Sequence, residues 1–178
     1  MRTKKQPEPV TYESVLALMQ KNARESEKLG KWIKEMQKEI GGISKSNGEV
    51  AESYFVNSFT NNMQFAGQKY DSLTPNLKKK DRKLNLQGEY DFVMYNCSSV
   101  VILEIKYKAR KEDVQKLLLK APIFKQLFPQ YAHYGLYLGL AAFHFDTSTE
   151  ENSIEQGIAV IKRVGKNVVI NDEHLKLF

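Results

Sequence analysis

One run of residues, 100–106, most constrains the fold of this chain: it reads Val-Val-Ile-Leu-Glu-Ile-Lys. Branched apolar residues at this density are typical of a buried strand. Alternate residues of a strand point to the same face, so Glu104 and Lys106 project together while Leu103 and Ile105 face the other layer. Charged groups in such a strand are desolvated, which is costly unless they have partners. The run therefore predicts a central strand that carries a charged cluster.

A second apolar run, residues 84–95, precedes the first, and residues 96–99 between them are typical of a hairpin connection. Folding the chain about this connection places Asp91 opposite Glu104. Two close carboxylates repel each other, and Mg²⁺ (or Mn²⁺) resolves the conflict because it prefers oxygen ligands together with substrate phosphate. We therefore predict that Asp91 and Glu104 bind a metal, and that Lys106 orients or deprotonates an attacking water or offsets charge on phosphorus.

A surface ion pair on an edge strand would also account for Glu104 and Lys106. The apolar flanks and the paired Asp91 favour the metal site. The other chemically reactive residues offer less: His133 and His144 have no identifiable partner, and no histidine and asparagine pattern surrounds Cys97.

The remaining patterns predict an α/β fold with one mixed sheet between helices. Helices are predicted over residues 11–40, 48–61, 111–128 and 147–156, and further strands over residues 134–143, 158–164 and 167–170. Gly41 and Gly42 are predicted to end the first helix, and Ser46 or Asn47 to cap the second. Residues around Pro75, up to the basic run, are predicted as a loop or an irregular short strand. The chain thus divides into a helical arm, residues 1–43, and a mixed domain, residues 44–178.

The arm carries a coiled-coil pattern. Apolar residues recur at alternating steps of four and three, at Leu29, Ile33, Met36, Ile40 and Ile43. This spacing is the seam of a coiled coil and favours a dimerising or docking helix, hence a homodimer. An amphipathic helix packed on its own domain is the alternative.

Positive charge is concentrated in two places, and the formal net charge is +6. Phosphate backbones attract such clusters by Coulomb energy and counterion release. The candidates for binding nucleic acid are Lys78, Lys79, Lys80, Arg82 and Lys83, together with Lys108 and Arg110, which alternate with Lys106. A solvated loop and helix start would show the same charges.

Composition and the lengths of the apolar runs limit the cellular compartment in which we expect the chain. A single cysteine among 178 residues excludes a disulfide framework and a cysteine-rich zinc site. Residues 1–10 contain Pro7 and Pro9 instead of the apolar stretch of a signal peptide, and the longest apolar run, residues 134–143, is too short to span a bilayer. We therefore expect a cytoplasmic protein with no membrane partner.

The site residues resemble a known superfamily. Gly88-Glu89-Tyr90-Asp91, followed after 13 positions by Glu104 within Leu103-Glu104-Ile105-Lys106, is similar to the PD-(D/E)xK phosphodiesterases, which include many restriction endonucleases, Holliday-junction resolvases and DNA-repair nucleases. The resemblance implies a restriction-endonuclease-like mixed sheet flanked by helices and metal-dependent hydrolysis of phosphodiester bonds in DNA. It also implies the main-chain carbonyl of Ile105 as a metal ligand. Members often carry an acid on the preceding helix, for which Glu49 and Glu52 are candidates, with Glu52 favoured.

More narrowly, residues 29–164 are similar to a prokaryotic family of uncharacterised proteins within that superfamily. Those proteins share the order of a coiled-coil helix, a Gly-Gly pair, a Gly-Glu-x-x-Glu segment, the Glu-x-Lys strand and a helix with an acidic start. The leading expectation is a Mg²⁺-dependent nuclease. The alternatives are an inactive nuclease-fold module that binds nucleic acid or protein, and a structural dimer whose ion pairs are incidental.

Overall fold

The computed structural model describes residues 11–178. The prediction that residues 1–10 contain no signal peptide concerns residues outside this range. The contacts divide the chain into two units, one that ends at Lys45 and one that comprises residues 46–178. No helix within residues 11–178 is both long enough and apolar enough to cross a membrane.

The first helix is longer than predicted. Helix α1 runs from Tyr12 to Asn61, so the predicted helix end at Gly41 and Gly42 is wrong, as is the separate helix from residue 48. Glycine weakens a helix by about 1 kcal/mol relative to alanine, but it keeps the N–H that proline lacks. The turn before them, residues 36–39, consists of good helix formers, whereas residues 43–48 do not, so propensity alone does not explain why the helix continues.

The second unit contains a six-stranded sheet in the order β3-β4-β5-β6-β7-β8. The strands are β3 (Ser72–Asp81), β4 (Leu86–Tyr95), β5 (Ser99–Lys108), β6 (Gly135–His144), β7 (Ala159–Val164) and β8 (Asn167–Asn171). Strand β5 pairs antiparallel with β4 and parallel with β6, so the sheet is mixed. The predicted mixed α/β architecture, with a long N-terminal helix and helices flanking the sheet, is confirmed at this level.

Helices cover one face of the sheet at its two parallel crossovers. Helix α2 (Lys111–Leu127) connects β5 to β6, and α3 (Thr147–Gln156) connects β6 to β7. A 3₁₀ turn, Pro129–Tyr131, follows α2. Asp146 caps α3, because its side chain accepts a hydrogen bond from the Thr149 N–H at 2.8 Å.

The opposite face of the sheet is covered by the C-terminal part of α1. Ala51, Phe55 and Phe59 are buried there in a cluster with Phe92 and Leu103 of the sheet. A separate cluster on the first face joins α2 to the sheet. Strand β5 therefore lies between two apolar layers, as its sequence predicts.

Of the predicted loop or irregular short strand, the structure has a strand, β3, of ten residues. It contains Lys78, Lys79 and Lys80 of the basic run, whereas Arg82 and Lys83 lie in the turn that follows. Strand β3 pairs with β4 along its length and forms one edge of the sheet. Pro75 is tolerated because an edge strand does not need every N–H for pairing. A two-stranded hairpin, β1 (Gln64–Phe65) and β2 (Gln68–Lys69), precedes it.

Candidate active site

Strand β4 changes face at Asp91. Phe92 and Met94 pack in the cluster on the α1 face, whereas Tyr90 and Val93 pack in the cluster on the α2 face. In a regular strand Tyr90 and Phe92 would share a face, because side chains alternate. The alternation is therefore broken at Asp91, the residue predicted to bind metal.

The neighbouring edge strand is irregular at the same level. The pairing of β3 with β4 passes from Pro75–Phe92 to Leu77–Tyr90 and skips Asn76, the position opposite Asp91. Asn76 has a φ of 51°, in the left-handed region that asparagine tolerates better than most residues. The irregularity thus involves both strands.

The glycine of the Gly-Glu-Tyr-Asp segment has a packing role. A Cβ at Gly88 would lie 2.5 Å from the hydroxyl oxygen of Tyr90 and 2.7 Å from its ring. Tyr90 is almost fully buried, so its ring has no room to move away. Gly88 therefore allows Tyr90 to occupy the α2 face next to the break at Asp91.

Asp91 is fixed against strand β5 by its side chain. The β4–β5 ladder ends with the pair Phe92–Leu103. Beyond this pair, the side chain of Asp91, which precedes Phe92 on β4, takes over the contact with β5: its Oδ2 atom accepts a hydrogen bond from the Ile105 N–H at 2.8 Å. The same oxygen lies 3.6 Å from Nζ of Lys106. The hairpin thus brings Asp91 to the Glu-x-Lys segment, as the spacing predicts.

Glu104 is held by two lysines. Its Oε1 atom lies 2.6 Å from Nζ of Lys106, and its Oε2 atom lies 2.5 Å from Nζ of Lys120. Only 7% of Glu104 is exposed, so both contacts are shielded from water. A buried carboxylate of this kind requires such partners.

Lys120 is a site residue that the sequence reasoning missed. It lies on α2, whose buried residues include Leu117, Ala121 and Phe124. Lys120 falls within this stripe at helical spacing, three residues after Leu117 and four before Phe124. A lysine on the buried stripe of the helix after the Glu-x-Lys strand was the signal that could have identified it.

The two acidic candidates on α1 differ in their electrostatic environment. Burial raises the pKa of Glu52, and the Asp91 carboxylate raises it further, with smaller effects from Lys106, Glu49 and Glu104. Glu52 therefore lies within electrostatic reach of the other three site residues. Glu49 is linked to this group through its effect on Glu52.

The charges of the site are mutually dependent. Burial raises the pKa of Asp91, Glu104 raises it further, and Lys106 and the Ile105 N–H offset part of the increase. Burial alone would lower the pKa of Lys106, but Glu104 and Asp91 together outweigh it, so that this pKa is raised. The ammonium group therefore stays charged at neutral pH.

The carboxylate oxygens of the site are ligands of the kind that a hard divalent cation prefers. The carboxylates of Glu52, Asp91 and Glu104 outnumber the ammonium groups of Lys106 and Lys120, and a Mg²⁺ ion that keeps several waters needs only one or two carboxylates. Within residues 11–178, no three His, Cys, Asp or Glu side chains are already grouped as a metal site. The candidate ligands for such an ion are Asp91 and Glu104, with solvent or substrate oxygens as the remaining ligands.

The basic residues predicted to bind nucleic acid fall into two groups: those that contact other parts of the protein and those that are exposed to solvent. Nζ of Lys79 donates to the Leu127 carbonyl at 2.5 Å and lies 4.5 Å from the centre of the Phe128 ring, so Lys79 anchors β3 to the end of α2. Lys78 pairs with Glu89 at 3.1 Å on the surface. The other predicted contacts are exposed: Lys80, Arg82, Lys83, Lys108 and Arg110.

Comparison of the chain with models of protein families, with curated proteins and with solved structures gives no match.

Proposed function

We propose that residues 46–178 form a nuclease domain of the PD-(D/E)xK type, which hydrolyses phosphodiester bonds in DNA with Mg²⁺ or Mn²⁺. The proposal depends on one observation: Asp91, Glu104 and Lys106 converge on a partly buried patch, with Lys106 Nζ 3.6 Å from Asp91 and 2.6 Å from Glu104. The mixed sheet, with helices on both faces, supports a restriction-endonuclease-like classification.

Each side chain has a defined task in this proposal. When bound, the divalent ion polarises the scissile phosphate and lowers the pKa of a water molecule. Asp91 and Glu104 would hold the ion, and the main-chain carbonyl of Ile105 would be a further ligand. Lys106 orients the attacking water and offsets the negative charge that develops on the phosphate oxygens.

Two further residues complete the proposed site. Lys120 holds the Oε2 atom of Glu104 and so fixes the orientation of that carboxylate. Glu52 is the accessory acid of this proposal; burial and the nearby carboxylates of Asp91 and Glu104 raise its pKa. The exposed lysines and arginines of β3, its following turn and the end of β5 contact the DNA backbone.

A second candidate function is binding without hydrolysis. Both oxygens of Glu104 already have lysine partners, so the ion-pair network is satisfied without a metal. In that case the domain binds nucleic acid through its basic surface, and the buried charges stabilise the fold only.

A cleavage assay with a matched pair of lysine variants separates these functions. Lys106→Met removes the proposed catalytic ammonium, whereas Lys162→Met removes an ammonium that is paired with Glu150 at the same 2.6 Å and is similarly exposed, 35% against 32%. With Mg²⁺ or Mn²⁺ and DNA substrates, single- and double-stranded, we expect Lys106→Met to lower the cleavage rate at least about 100-fold, the loss typical of one transition-state contact. Lys162→Met should retain the rate.

Two results would contradict the nuclease proposal. Equal cleavage by both variants would mean that the activity does not come from this site. DNA binding by the wild type without cleavage would favour the binding module.

A further inference from the structure

An exposed apolar seam runs along α1 in the first unit. Because α1 is uninterrupted, the heptad spacing continues upstream of Leu29 through Ser26, Asn22 and Met19 to Val15. We call this row the seam; its apolar members are Val15, Met19, Leu29, Ile33, Met36, Ile40 and Ile43, each between 42% and 64% exposed. A row of exposed apolar side chains, interrupted here only at Asn22 and Ser26, is typical of an interaction site.

The described part of the first unit, residues 11–45, offers nothing to cover the seam. Its only regular element is α1 itself. A heptad seam is complementary in shape to another heptad seam, since each side chain enters a hole between four residues of the facing helix. A second copy of the same helix supplies this complement.

Residues 29–40 of the seam indicate the number of helices. With Leu29 at a d position, Ile33 and Ile40 occupy a positions and Met36 occupies the next d position. Within a parallel coiled coil, branched residues at a, with leucine or another residue unbranched at Cβ at d, favour two strands.

The charges that flank the seam agree with a parallel pair. The e positions are uncharged: Ala23, Gly30, Gln37 and Ser44. Parallel helices place g against e of the partner, so the g residues Glu25 and Glu39 meet no like charge. Antiparallel helices place g against g, which brings these glutamates together in some alignments.

Two ion pairs on the first unit lie within the helix itself. Lys31 pairs with Glu27 at 3.0 Å, and Lys21 pairs with Glu25 at 4.0 Å. These pairs join residues four apart on one helix, so they stabilise the helix without specifying a different partner.

We propose that the chain forms a homodimer through a parallel two-stranded coiled coil over residues 15–43. This proposal does not depend on nuclease activity.

The oligomeric state of the full chain tests the proposal. Sedimentation or light scattering over a dilution series should give the mass of a dimer for the wild type. Ile33→Glu combined with Ile40→Glu should give a monomer, because charged residues at a positions of adjacent heptads repel across the seam. The control, Lys34→Glu combined with Lys38→Glu, places two carboxylates on the outer face, leaves the Lys31–Glu27 and Lys21–Glu25 pairs intact and should remain a dimer. A monomeric wild type, or a dimeric seam variant, would refute the assembly.

Cross-linking tests the direction of the helices. In a Cys97→Ser background, which removes the exposed native thiol, Met36→Cys places both cysteines in one layer of a parallel dimer, within disulfide range. We expect an oxidised covalent dimer from Met36→Cys and none from the outer-face control Glu35→Cys. A dimeric mass without the Met36→Cys cross-link would overturn the parallel arrangement, and a larger mass would overturn the two-stranded one.

Discussion

The carboxyl group of Asp91 accepts one main-chain hydrogen bond, from the Ile105 N–H at 2.8 Å, and lies beside a second carboxyl group, that of Glu104. Burial and Glu104 raise the pKa of Asp91, so the ionised form is less favoured in the folded chain than in the unfolded chain. Charges held in this way are typical of functional sites, where stability is lower than it could be.

Removing the charge of Asp91 should therefore stabilise the fold. Asp91→Asn keeps an oxygen that can accept the Ile105 N–H and removes the repulsion with Glu104. At about pH 8 we expect the melting temperature to rise by about 2–4 °C, the shift that ~1 kcal/mol produces at this chain length. Thermal unfolding followed by circular dichroism measures it.

The raised pKa of Asp91 also predicts how the stability of the fold changes with pH. Since the folded pKa lies above the ordinary value of 3.8, wild-type stability falls as pH rises through the interval between the two values and stays lower above it. The increase in melting temperature from Asp91→Asn should be complete at pH values above the pKa of Asp91 in the folded chain, and absent below pH 3.8. The exposed Glu89→Gln, on the same strand, should show no comparable gain. A lower melting temperature for Asp91→Asn would contradict this explanation.

At the scale of elements, the strands and helices with strong apolar periodicity could be predicted from the sequence. The β4–β5 hairpin, β6, α2 and α3 lie where their patterns indicate, because two-sided or one-sided burial leaves a clear period. Strand β3 could not be predicted in this way. It is an edge strand whose solvent face carries lysines, and its pairing with β4 depends on a partner distant from the local pattern.

Helix α1 continues without a break through Gly41 and Gly42, and this leads to a second prediction. A Cβ at Gly41 or Gly42 would meet no atom within 4 Å, so alanine fits at both positions. Gly41→Ala combined with Gly42→Ala should increase helicity and stabilise the helix by about 1 kcal/mol per substitution. Circular dichroism at the helical minimum during thermal unfolding checks this.

A third glycine provides the control. Gly157 has a φ of 77° at the C-terminal cap of α3, where alanine is strained, so Gly157→Ala should destabilise the fold. Loss of stability from the Gly41 and Gly42 substitutions would instead indicate that the helix ends there.

At the scale of the whole molecule, the basic residues between 78 and 83 differ in role, because some make contacts that stabilise the fold and others are exposed to solvent. Lys79 bonds to α2, whereas Lys80, Arg82 and Lys83 are exposed. If these three bind phosphate, replacing them with alanine should weaken duplex binding and reduce the slope of log K against log salt by about 0.9 for each phosphate that is no longer neutralised. Fluorescence anisotropy at several salt concentrations measures both quantities.

Lys79→Ala is the matched control from the same strand. It should lower the melting temperature, because it removes the bond to Leu127 and the contact with the Phe128 ring, and it should leave the salt slope unchanged. An unchanged slope in the triple variant would exclude this surface from DNA binding.

The whole-molecule scale also shows why one part of the site could be predicted from the sequence and another could not. Asp91, Glu104 and Lys106 are close in sequence and share one hairpin, so spacing alone could predict that they meet. Lys120 reaches Glu104 only because α2 crosses back over the sheet, which no local pattern specifies. The break in β4 at Asp91 likewise depends on Gly88, Tyr90 and the facing strand together.

Calorimetric titration of Mg²⁺ and of Mn²⁺ tests the central claim most directly, with and without a short DNA duplex. We predict binding to the wild type and to Glu89→Gln, and its loss in Asp91→Asn and Glu104→Gln, with circular dichroism showing that all four are folded. Absence of binding to the wild type even with DNA, or unchanged binding in Asp91→Asn, would contradict a metal site at these carboxylates and leave Asp91, Glu104, Lys106 and Lys120 as an ion-pair network.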